Sequence, residues 1–198
     1  MTVTVLILLF FWPVVIFSQI TIAPRISANH NHFEWNAPIG GFTDPQEWTY
    51  GLGVVSRAQL SEKIYGGLSF NYYPLGISFA SLVSLIPYTV TTNIIDVKIG
   101  FEYQIYPNTL VGLGFEVEQY FQTEFEVINS SDIEFGESQK QYGFETSITQ
   151  RFGRIELFAD IFIGLNEVRI SPDQFARKIN ILSHKKLQLG IGIPISLK

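Results

Sequence analysis

The C-terminal stretch Leu187–Lys198 reads LQLGIGIPISLK, and every second position from Leu187 to Leu197 is a Leu or an Ile. The positions between them hold Gln, Gly, Gly, Pro and Ser. Successive side chains of a β-strand point to opposite faces, so this stretch predicts a strand with one apolar face and one face almost without bulk. A soluble sandwich and a barrel in a lipid bilayer can both use such a strand. The rest of the chain has to decide between them.

The composition favours apolar surroundings and excludes several kinds of chemistry. Only 16% of the 198 residues are charged, whereas a soluble domain carries about 25%. The formal net charge of -5 argues against a nucleic-acid partner, because phosphate binding needs a basic surface. The chain has no cysteine, which excludes disulfides, thiolate metal sites and a thiol nucleophile. No cofactor-binding motif is present, so we expect no cofactor.

The first eighteen residues, MTVTVLILLFFWPVVIFS, contain no charged side chain and end in a small residue. This pattern predicts a signal peptide over residues 1–18, cleaved before Gln19, and a single domain over residues 19–198. The alternative is an uncleaved anchor, but the run is short for a span of about 20 residues and contains Pro13. In both cases the rest of the chain leaves the cytoplasm.

Eight segments after Gln19 alternate between apolar and polar or small residues, as half-buried strands do. They run approximately over Ile20–Asn29, Trp48–Gln59, Lys63–Tyr72, Ile95–Gln104, Val111–Phe121, Tyr142–Arg151, Ile155–Asn166 and Leu187–Leu197.

Short and long connections between these segments alternate strictly. Leu60-Ser61-Glu62, Tyr106-Pro107-Asn108 and Gly153-Arg154 are short, and the long connections are approximately 29–47, 73–92, 128–140 and 168–184. An antiparallel meander places consecutive connections at opposite ends, so all the short turns share one rim. Short turns on one rim and long loops on the other are typical of an outer-membrane barrel. The sequence therefore predicts an all-β, eight-stranded antiparallel up-and-down transmembrane barrel whose last strand pairs with its first.

The polar faces of these segments carry seven acids and five bases, which we predict to form a charge network in the barrel lumen. They are Arg25, Arg57, Asp96, Lys98, Glu102, Glu116, Glu118, Glu145, Arg151, Glu156, Asp160 and Lys186. Eight strands enclose a space only just wide enough for side chains. The large aliphatic residues of the other face do not fit there, whereas glycines do. We therefore expect the apolar face to point outward and the paired charges to fill the lumen without leaving an open pore.

The turns also predict which residues face each other across the strands. A two-residue Gly153-Arg154 turn places Arg151 opposite Glu156. A turn at Pro107-Asn108 places Lys98 opposite Glu116 or Glu118, so opposite charges meet, as cross-strand pairing favours.

In these features the chain resembles the small eight-stranded outer-membrane barrels of the OmpX and OmpA-barrel type, over essentially all of residues 19–198. The resemblance implies an outer-membrane location. The last strand ends Leu197-Lys198 rather than in an aromatic residue, and with the Ser18-Gln19 junction this looks more like barrels of Bacteroidetes-type bacteria. The roles implied are scaffold, adhesion protein, lipid-modifying enzyme or subunit of a secretion machine, and the fold alone does not select among them.

Candidate chemistry is sparse. All three histidines fall in the predicted long loops: His30 and His32 in the first and His184 in the last. His30, His32 and Glu34 are too few and too closely spaced to predict a metal site with any specificity, and we predict none. No motif predicts a catalytic residue. A lipid-acting enzyme, the second hypothesis, would depend on one of these histidines.

The second long connection, YYPLGISFASLVSLIPYTV, is far more apolar than an exposed loop should be. It holds the residues Ile77, Phe79, Leu82, Val83, Leu85 and Ile86. Three interpretations remain open: a short helix between Pro74 and Pro87 that covers the barrel mouth, strands that extend beyond the membrane, or a surface that binds a membrane protein or lipid.

The leading hypothesis is a non-enzymatic barrel in the outer membrane, in contact with outer-membrane lipid, that serves as a scaffold or binds a membrane-protein partner through this segment. The third hypothesis is a soluble secreted barrel that binds a small apolar ligand.

Overall fold

The computed structural model describes residues 19–35, 46–80, 87–127, 133–136, 139–169 and 180–197. These residues form eleven β-strands: β1 (Ile20–Trp35), β2 (Gln46–Gln59), β3 (Ile64–Ala80), β4 (Pro87–Tyr106), β5 (Thr109–Val127), β6 (Ile133–Gly136), β7 (Gln139–Phe152), β8 (Ile155–Gly164), β9 (Val168–Arg169), β10 (Asn180–Gly192) and β11 (Ile195–Leu197). Among the same residues there is no helix whose length and hydropathy suit a membrane crossing. Residues 1–18, the predicted signal peptide, lie outside the described residues.

The eight long strands form a closed antiparallel barrel. β1 to β5 pair in chain order, followed by β7, β8 and β10. β10 then pairs with β1 in a ladder that runs from Arg25↔Gly192 to Trp35↔Ile181. The short strands β6, β9 and β11 extend the ladders of β5, β10 and β1. The predicted eight-stranded up-and-down barrel, with its last strand paired to its first, is therefore confirmed.

Buried and exposed residues alternate along the strands, and the apolar residues are the exposed ones. On β10, Leu187, Leu189 and Ile191 are 37%, 42% and 45% exposed, whereas Gln188 is 2% exposed. On β7 the alternation is unbroken from Gln141 to Thr149. The aliphatic side chains of the C-terminal stretch therefore point away from the barrel axis. Since most of the buried side chains are polar or charged and most of the large apolar ones are exposed, the barrel is inverted relative to a soluble protein.

The three short turns share one end of the barrel, as predicted. Gly153 has φ +60°, a conformation that glycine adopts without strain, and its turn places Arg151 opposite Glu156. Lys98 lies opposite Glu116, the first of its two predicted partners. The strand ends that flank the long connections lie at the other end, which we call the outer end.

β3 and β4 are longer than predicted and account for most of the second long connection. β3 continues to Ala80 and pairs along its whole length with β4, ending in the pair Ala80↔Pro87. The backbones of Ile77 and Phe79 pair with Val90 and Tyr88 in this hairpin. The predicted short helix after Pro74 is therefore wrong for the residues up to Ala80. Their backbone N–H and C=O groups are paired in the ladder with β4 instead of within a helix. Leu82, Val83, Leu85 and Ile86 lie outside the described residues.

β2 and β3 separate toward the outer end of the barrel. Their ladder runs from Gln59↔Tyr65 to Leu52↔Tyr72 and stops there. Beyond this pair, as far as the described residues show, β2 continues to Gln46 paired with β1 alone and β3 continues to Ala80 paired with β4 alone. The wall of the barrel therefore has a seam, which we define as the residues 46–51 of β2 and 73–80 of β3.

The last strand is interrupted near its end. β10 ends at Gly192 and β11 begins at Ile195, so Ile193 and Pro194 break the predicted continuous strand. Pro194 has no N–H to donate to a ladder. The N–H of Ile193 donates instead to the carbonyl oxygen of Pro24 on β1 at 3.1 Å, so the barrel remains joined at the break.

Candidate functional site

The twelve charged residues predicted for the lumen lie on the inward-facing positions of β1, β2, β4, β5, β7, β8 and β10. Eleven of them are buried, and the Arg151 side chain is 26% exposed. They divide into two clusters joined by the pair Lys98–Glu145. The turn-end cluster consists of Arg25, Arg57, Glu102, Arg151, Glu156 and Asp160. The loop-end cluster consists of Asp96, Glu116, Glu118 and Lys186, together with His184, Tyr73 and Tyr120.

Arg57 and Glu156 form the centre of the turn-end cluster. The Arg57 guanidinium group binds Glu102 and donates to Glu156 Oε2 at 2.9 Å, so one cation joins carboxylates from two strands. Arg25 also donates to Glu156, at 2.9 Å. The guanidinium carbon Cζ of Arg25 lies 4.0 Å from the centroid of the Phe158 ring. Arginine suits this place because its planar group offers five donors in a fixed geometry.

Lys186 is the cation of the loop-end cluster. Its Nζ lies 3.0 Å from Asp96 Oδ2, 2.6 Å from Glu116 Oε1 and 2.9 Å from Glu118 Oε1. The Lys186 side chain is 1% exposed. A buried charge is strongly unfavourable without a partner, so the ammonium group and these carboxylates have to be present together.

The same three carboxylates could hold a metal ion, because one oxygen atom of each lies within 4.8 Å of the other two. Lys186 already supplies a positive charge between them. In the chain as it stands, this arrangement is therefore an ion-pair centre in which an ammonium group takes the place of a metal cation.

His184 lies in the barrel interior, and its predicted place in the last long loop is wrong. It belongs to β10 and is 0% exposed. Its Nδ1 lies 2.8 Å from Glu118 Oε2 and 3.1 Å from the hydroxyl of Tyr120, and its Nε2 lies 3.1 Å from Asn31 Oδ1. The ring stacks on Phe33 with 4.4 Å between centroids. His184 lies two residues before Lys186 and four before Gln188, so it shares their face of the strand. This spacing was a sequence signal that the alternation begins before Leu187.

His30 and His32 lie on β1 rather than in a loop. Both occupy outward-facing positions, and the His30 ring is 4.9 Å from that of Trp48. Glu34, the third member of the weak metal constellation, accepts a hydrogen bond from Lys185 Nζ at 3.1 Å. The structure therefore separates His184 from the other two histidines and places it inside the barrel wall.

Aromatic side chains and glycines complete the filling of the lumen. Phe162 is 0% exposed and crosses over Gly143, where an added Cβ would lie 2.3 Å from the ring. Phe158 crosses over Gly190 in the same way, at 2.4 Å. These glycines are required by close approach, because any larger residue would displace the ring that covers it. The sequence identified the glycines as space in a narrow interior, and the structure shows which side chains use that space.

The interior is suited to holding the strands together and offers little for catalysis. Glu118, His184 and Tyr120 contact each other as a hydrolytic constellation would, but all three are at most 1% exposed. A substrate would have to displace the ion pairs to reach them. The hypothesis of a lipid-acting enzyme places one histidine beside Ser130, Ser131 or Asp132, and these three residues lie outside the described residues, so that arrangement stays a prediction.

The closed barrel, its apolar outer surface and its ion-paired lumen together define a class of protein, the small eight-stranded β-barrel with an inverted interior. No protein-family model and no curated protein matches the sequence. Solved structures do match. Ail, the attachment invasion locus protein of Yersinia pestis, in complex with the heparin analogue sucrose octasulfate, has 13% identity and a TM-score of 0.55 over 89% of this chain and 99% of that one.

The outer-membrane protein OprG from Pseudomonas aeruginosa has 9% identity and a TM-score of 0.58, over 90% of this chain and 96% of that one. At such identities the likeness concerns the fold alone. The chain has the fold of the small eight-stranded outer-membrane barrels, and the resemblance to the OmpX and OmpA-barrel type is confirmed, whereas the likeness to barrels of Bacteroidetes-type bacteria stays a prediction.

Proposed function

We propose that this protein is a non-enzymatic barrel of the outer membrane, with a closed lumen, that acts as a scaffold or binds a partner at its outer end. The observation that carries the proposal is the combination of an ion-paired interior with a long outer hairpin formed by β3 and β4. The partner role covers adhesion and membership in an envelope or secretion assembly.

The outward-facing side chains support the membrane location. They form an apolar surface around the barrel, and aromatic residues stand near both ends of it. Tyr103 and Tyr106 lie near the short turns, and Trp48, Tyr50 and Tyr142 lie toward the outer end. Aromatic girdles at both interfaces are a feature of outer-membrane barrels. Export through a signal peptide at residues 1–18 remains a prediction.

The filling of the lumen supports a closed barrel. Arg57, Lys186 and Phe162 are at most 1% exposed although they project toward the barrel axis. Arg57 and Lys186 form ion pairs with carboxylates from strands on other sides of the barrel, so passage along the axis would require several ion pairs to separate. A barrel of eight strands has little space beyond its own side chains.

The hairpin of β3 and β4 supports binding at the outer end. It continues for eight residue pairs beyond Tyr72↔Ile95, from Tyr73↔Ile94 to Ala80↔Pro87. Its sequence includes Ile77 and Phe79 and leads into the apolar run that ends at Ile86. Apolar residues concentrated beyond the membrane are typical of an interaction surface.

The experiment is affinity purification of the tagged protein from detergent extracts of native membranes after chemical crosslinking. We expect the protein in the detergent extract together with a membrane-protein partner. The partner should be lost with Ile77→Ser/Phe79→Ser and retained with Ser131→Ala/Asp132→Ala in the polar third connection. The partner role would be excluded if the protein were recovered alone as a monomer and the hairpin variant did not change what is recovered with it.

Two further measurements separate the remaining parts of the proposal. Recovery in the soluble periplasmic fraction without detergent would exclude the membrane location and favour the soluble barrel. In planar bilayers the purified protein should give no steady discrete conductance. Regular channel steps would contradict the closed lumen while leaving the membrane location intact.

A further inference from the structure

Among the described residues, the seam between β2 and β3 leaves two strand edges unpaired with each other. Continuation of the ladder beyond Leu52↔Tyr72 would pair Tyr50 with Pro74 and Thr49 with Leu75, and neither pair forms. Pro74 provides a local reason, because proline has no N–H and is confined to edge segments of sheets. Closed barrels normally hide all such edges from lipid. Strand edges at the membrane surface are therefore a place where a bound molecule can take the position of the missing strand partner.

The seam lies at the outer boundary of the apolar surface. Nine residues of β3, Ile64–Tyr72, separate the turn end from the start of the seam. At about 3.3 Å per residue and a tilt of about 40°, they span roughly 23 Å along the barrel axis. An outer-membrane barrel has an apolar band about 25 Å tall. The seam consequently opens at the level where lipid headgroups begin.

A cavity of about 440 Å³ lies over the seam. That volume is within the range of about 300–1,000 Å³ typical of small-molecule sites. The lining residues are Trp48, Thr49, Tyr50, Pro74, Leu75, Gly76, Thr91, Thr92, Asn93 and Glu124. Aromatic and apolar groups come from β2 and β3, hydroxyl and amide groups come mainly from β4, and Glu124 is the charged residue among them.

A buried polar group on the inner side of the wall lies opposite one of the lining residues, Thr49. Asn29 lies opposite Thr49 in the ladder of β1 and β2, and it is 0% exposed. Within the part of the chain that the structure describes, neither its amide nitrogen nor its amide oxygen has a hydrogen-bond partner. A buried amide without a partner is unfavourable by about 1–3 kcal/mol on mutational scales. It is a second sign that a hydroxyl-bearing group, from water or a ligand, belongs near the seam.

We propose that the seam is a binding site for an uncharged single-chain amphiphile with a hydroxyl-bearing head, of the monoacylglycerol class. The head lies in the cavity against Thr49 and Thr91, and the acyl chain leaves past Trp48 and Tyr50 into the outer leaflet. The charge of Glu124 disfavours an anionic head such as a fatty-acid carboxylate. This inference rests on the proposed membrane location.

Trp48 allows binding to be measured directly. The chain has three tryptophans, so Trp12→Phe/Trp35→Phe leaves Trp48 as the only one. The full chain with these changes is folded into phosphatidylcholine vesicles. Three probes with chain-brominated acyl groups are then added at equal bromine content: monostearoylglycerol, stearate and phosphatidylcholine. Bromine quenches tryptophan on contact, so saturable quenching reports a bound probe.

We expect monostearoylglycerol to saturate Trp48 quenching at a mole fraction roughly tenfold lower than either other probe, equivalent to about 1.4 kcal/mol. Equal quenching by all three would show lipid contact only and overturn the site. Stronger quenching by stearate would overturn the neutral head. If brominated phosphatidylcholine does not quench Trp48 at all, the membrane location fails, which is a separate outcome from failure of the site.

Two variants make the test specific. Gly76→Leu should abolish the saturable quenching by filling the cavity, because an added Cβ at Gly76 meets only the Cγ2 of Thr91, at 3.9 Å. Ala159→Leu on β8, across the barrel, is the control and should leave the saturable quenching unchanged. Glu124→Gln should bring stearate to the affinity of monostearoylglycerol. The proposal would be contradicted if saturable quenching of Trp48 persisted in Gly76→Leu, or if Glu124→Gln left the affinity for stearate unchanged.

Discussion

Lys98 lies directly opposite Glu116 in the ladder of β4 and β5, yet its ammonium group binds Glu145, one strand further on. The Lys98 side chain reaches Glu145 by passing over Gly114, whose missing Cβ leaves room for the Cγ and Cδ of the lysine. For Lys98, the residue directly opposite in the ladder is therefore not the ion-pair partner. The narrow interior allows a long side chain to reach the second strand away, and Glu116 remains available to Lys186.

We expect Gly114→Ala to destabilise the protein by about 1–3 kcal/mol, the usual effect of overpacking. An added Cβ would lie 2.8 Å from Cγ of Lys98 and 3.0 Å from the carbonyl oxygen of Ile99. Gly67→Ala is the matched control, because the nearest atom to its added Cβ is 3.9 Å away. Urea unfolding in detergent micelles measures both. Equal stability of the two variants would show that Lys98 does not take this route.

Lys186→Met should lower the free energy of unfolding by about 3–5 kcal/mol, because it leaves buried carboxylates without their cation. Lys185→Met is the control one residue away. The Lys185 side chain is 51% exposed and pairs with the exposed Glu34, and exposed pairs contribute about 0–1 kcal/mol. The same unfolding measurement compares them. Similar losses would mean that the loop-end cluster is solvated.

Ile161→Arg should destabilise the barrel in bilayers by about 2–4 kcal/mol if the position lies near mid-membrane, whereas Ile155→Arg beside the turn should cost about 0–1 kcal/mol. Both side chains are exposed, at 50% and 48%, so neither change disturbs the interior. Unfolding from phospholipid vesicles gives the comparison. Equal, small effects would indicate that this face meets water.

His184→Ala should lower the free energy of unfolding by about 1–3 kcal/mol, since it removes one buried partner each from Glu118 Oε2 and Asn31 Oδ1. His32→Ala, at an outward-facing position, should change stability by about 0.5 kcal/mol or less. Neither variant should alter the acylation of outer-membrane lipid in cells. A changed lipid profile in either one would revive the hypothesis of a lipid-acting enzyme.

The strand faces, the short turns and the closure of the barrel were predictable from sequence because each follows from the two-residue period. Arg151 facing Glu156 needed only the length of one turn. The partners of Lys186 were not predictable, because they come from strands that the ladder places on other sides of the barrel. The position of His184 was missed because the alternation was taken to begin at Leu187.

The seam also could not be read from sequence. Pro74 and Gly76 signal a weak strand segment, but they do not say which neighbouring strand is lost. β3 keeps its whole ladder with β4 and gives up the one with β2 beyond Leu52. That choice depends on how far each neighbouring hairpin extends, which is a property of the assembled sheet.

Two adjacent residues of β7 distinguish an apolar surface that faces lipid from one that faces water. Ser147 and Ile148, adjacent on β7, are 6% and 48% exposed. Because the chain has no cysteine, Ser147→Cys and Ile148→Cys can each be reacted with a nitroxide reagent after folding into phospholipid vesicles. The account predicts that Cys at 148 is labelled and its nitroxide collides more with oxygen than with a water-soluble nickel chelate, while Cys at 147 reacts only after unfolding. A nitroxide at 148 that meets the nickel chelate more often than oxygen would contradict the account.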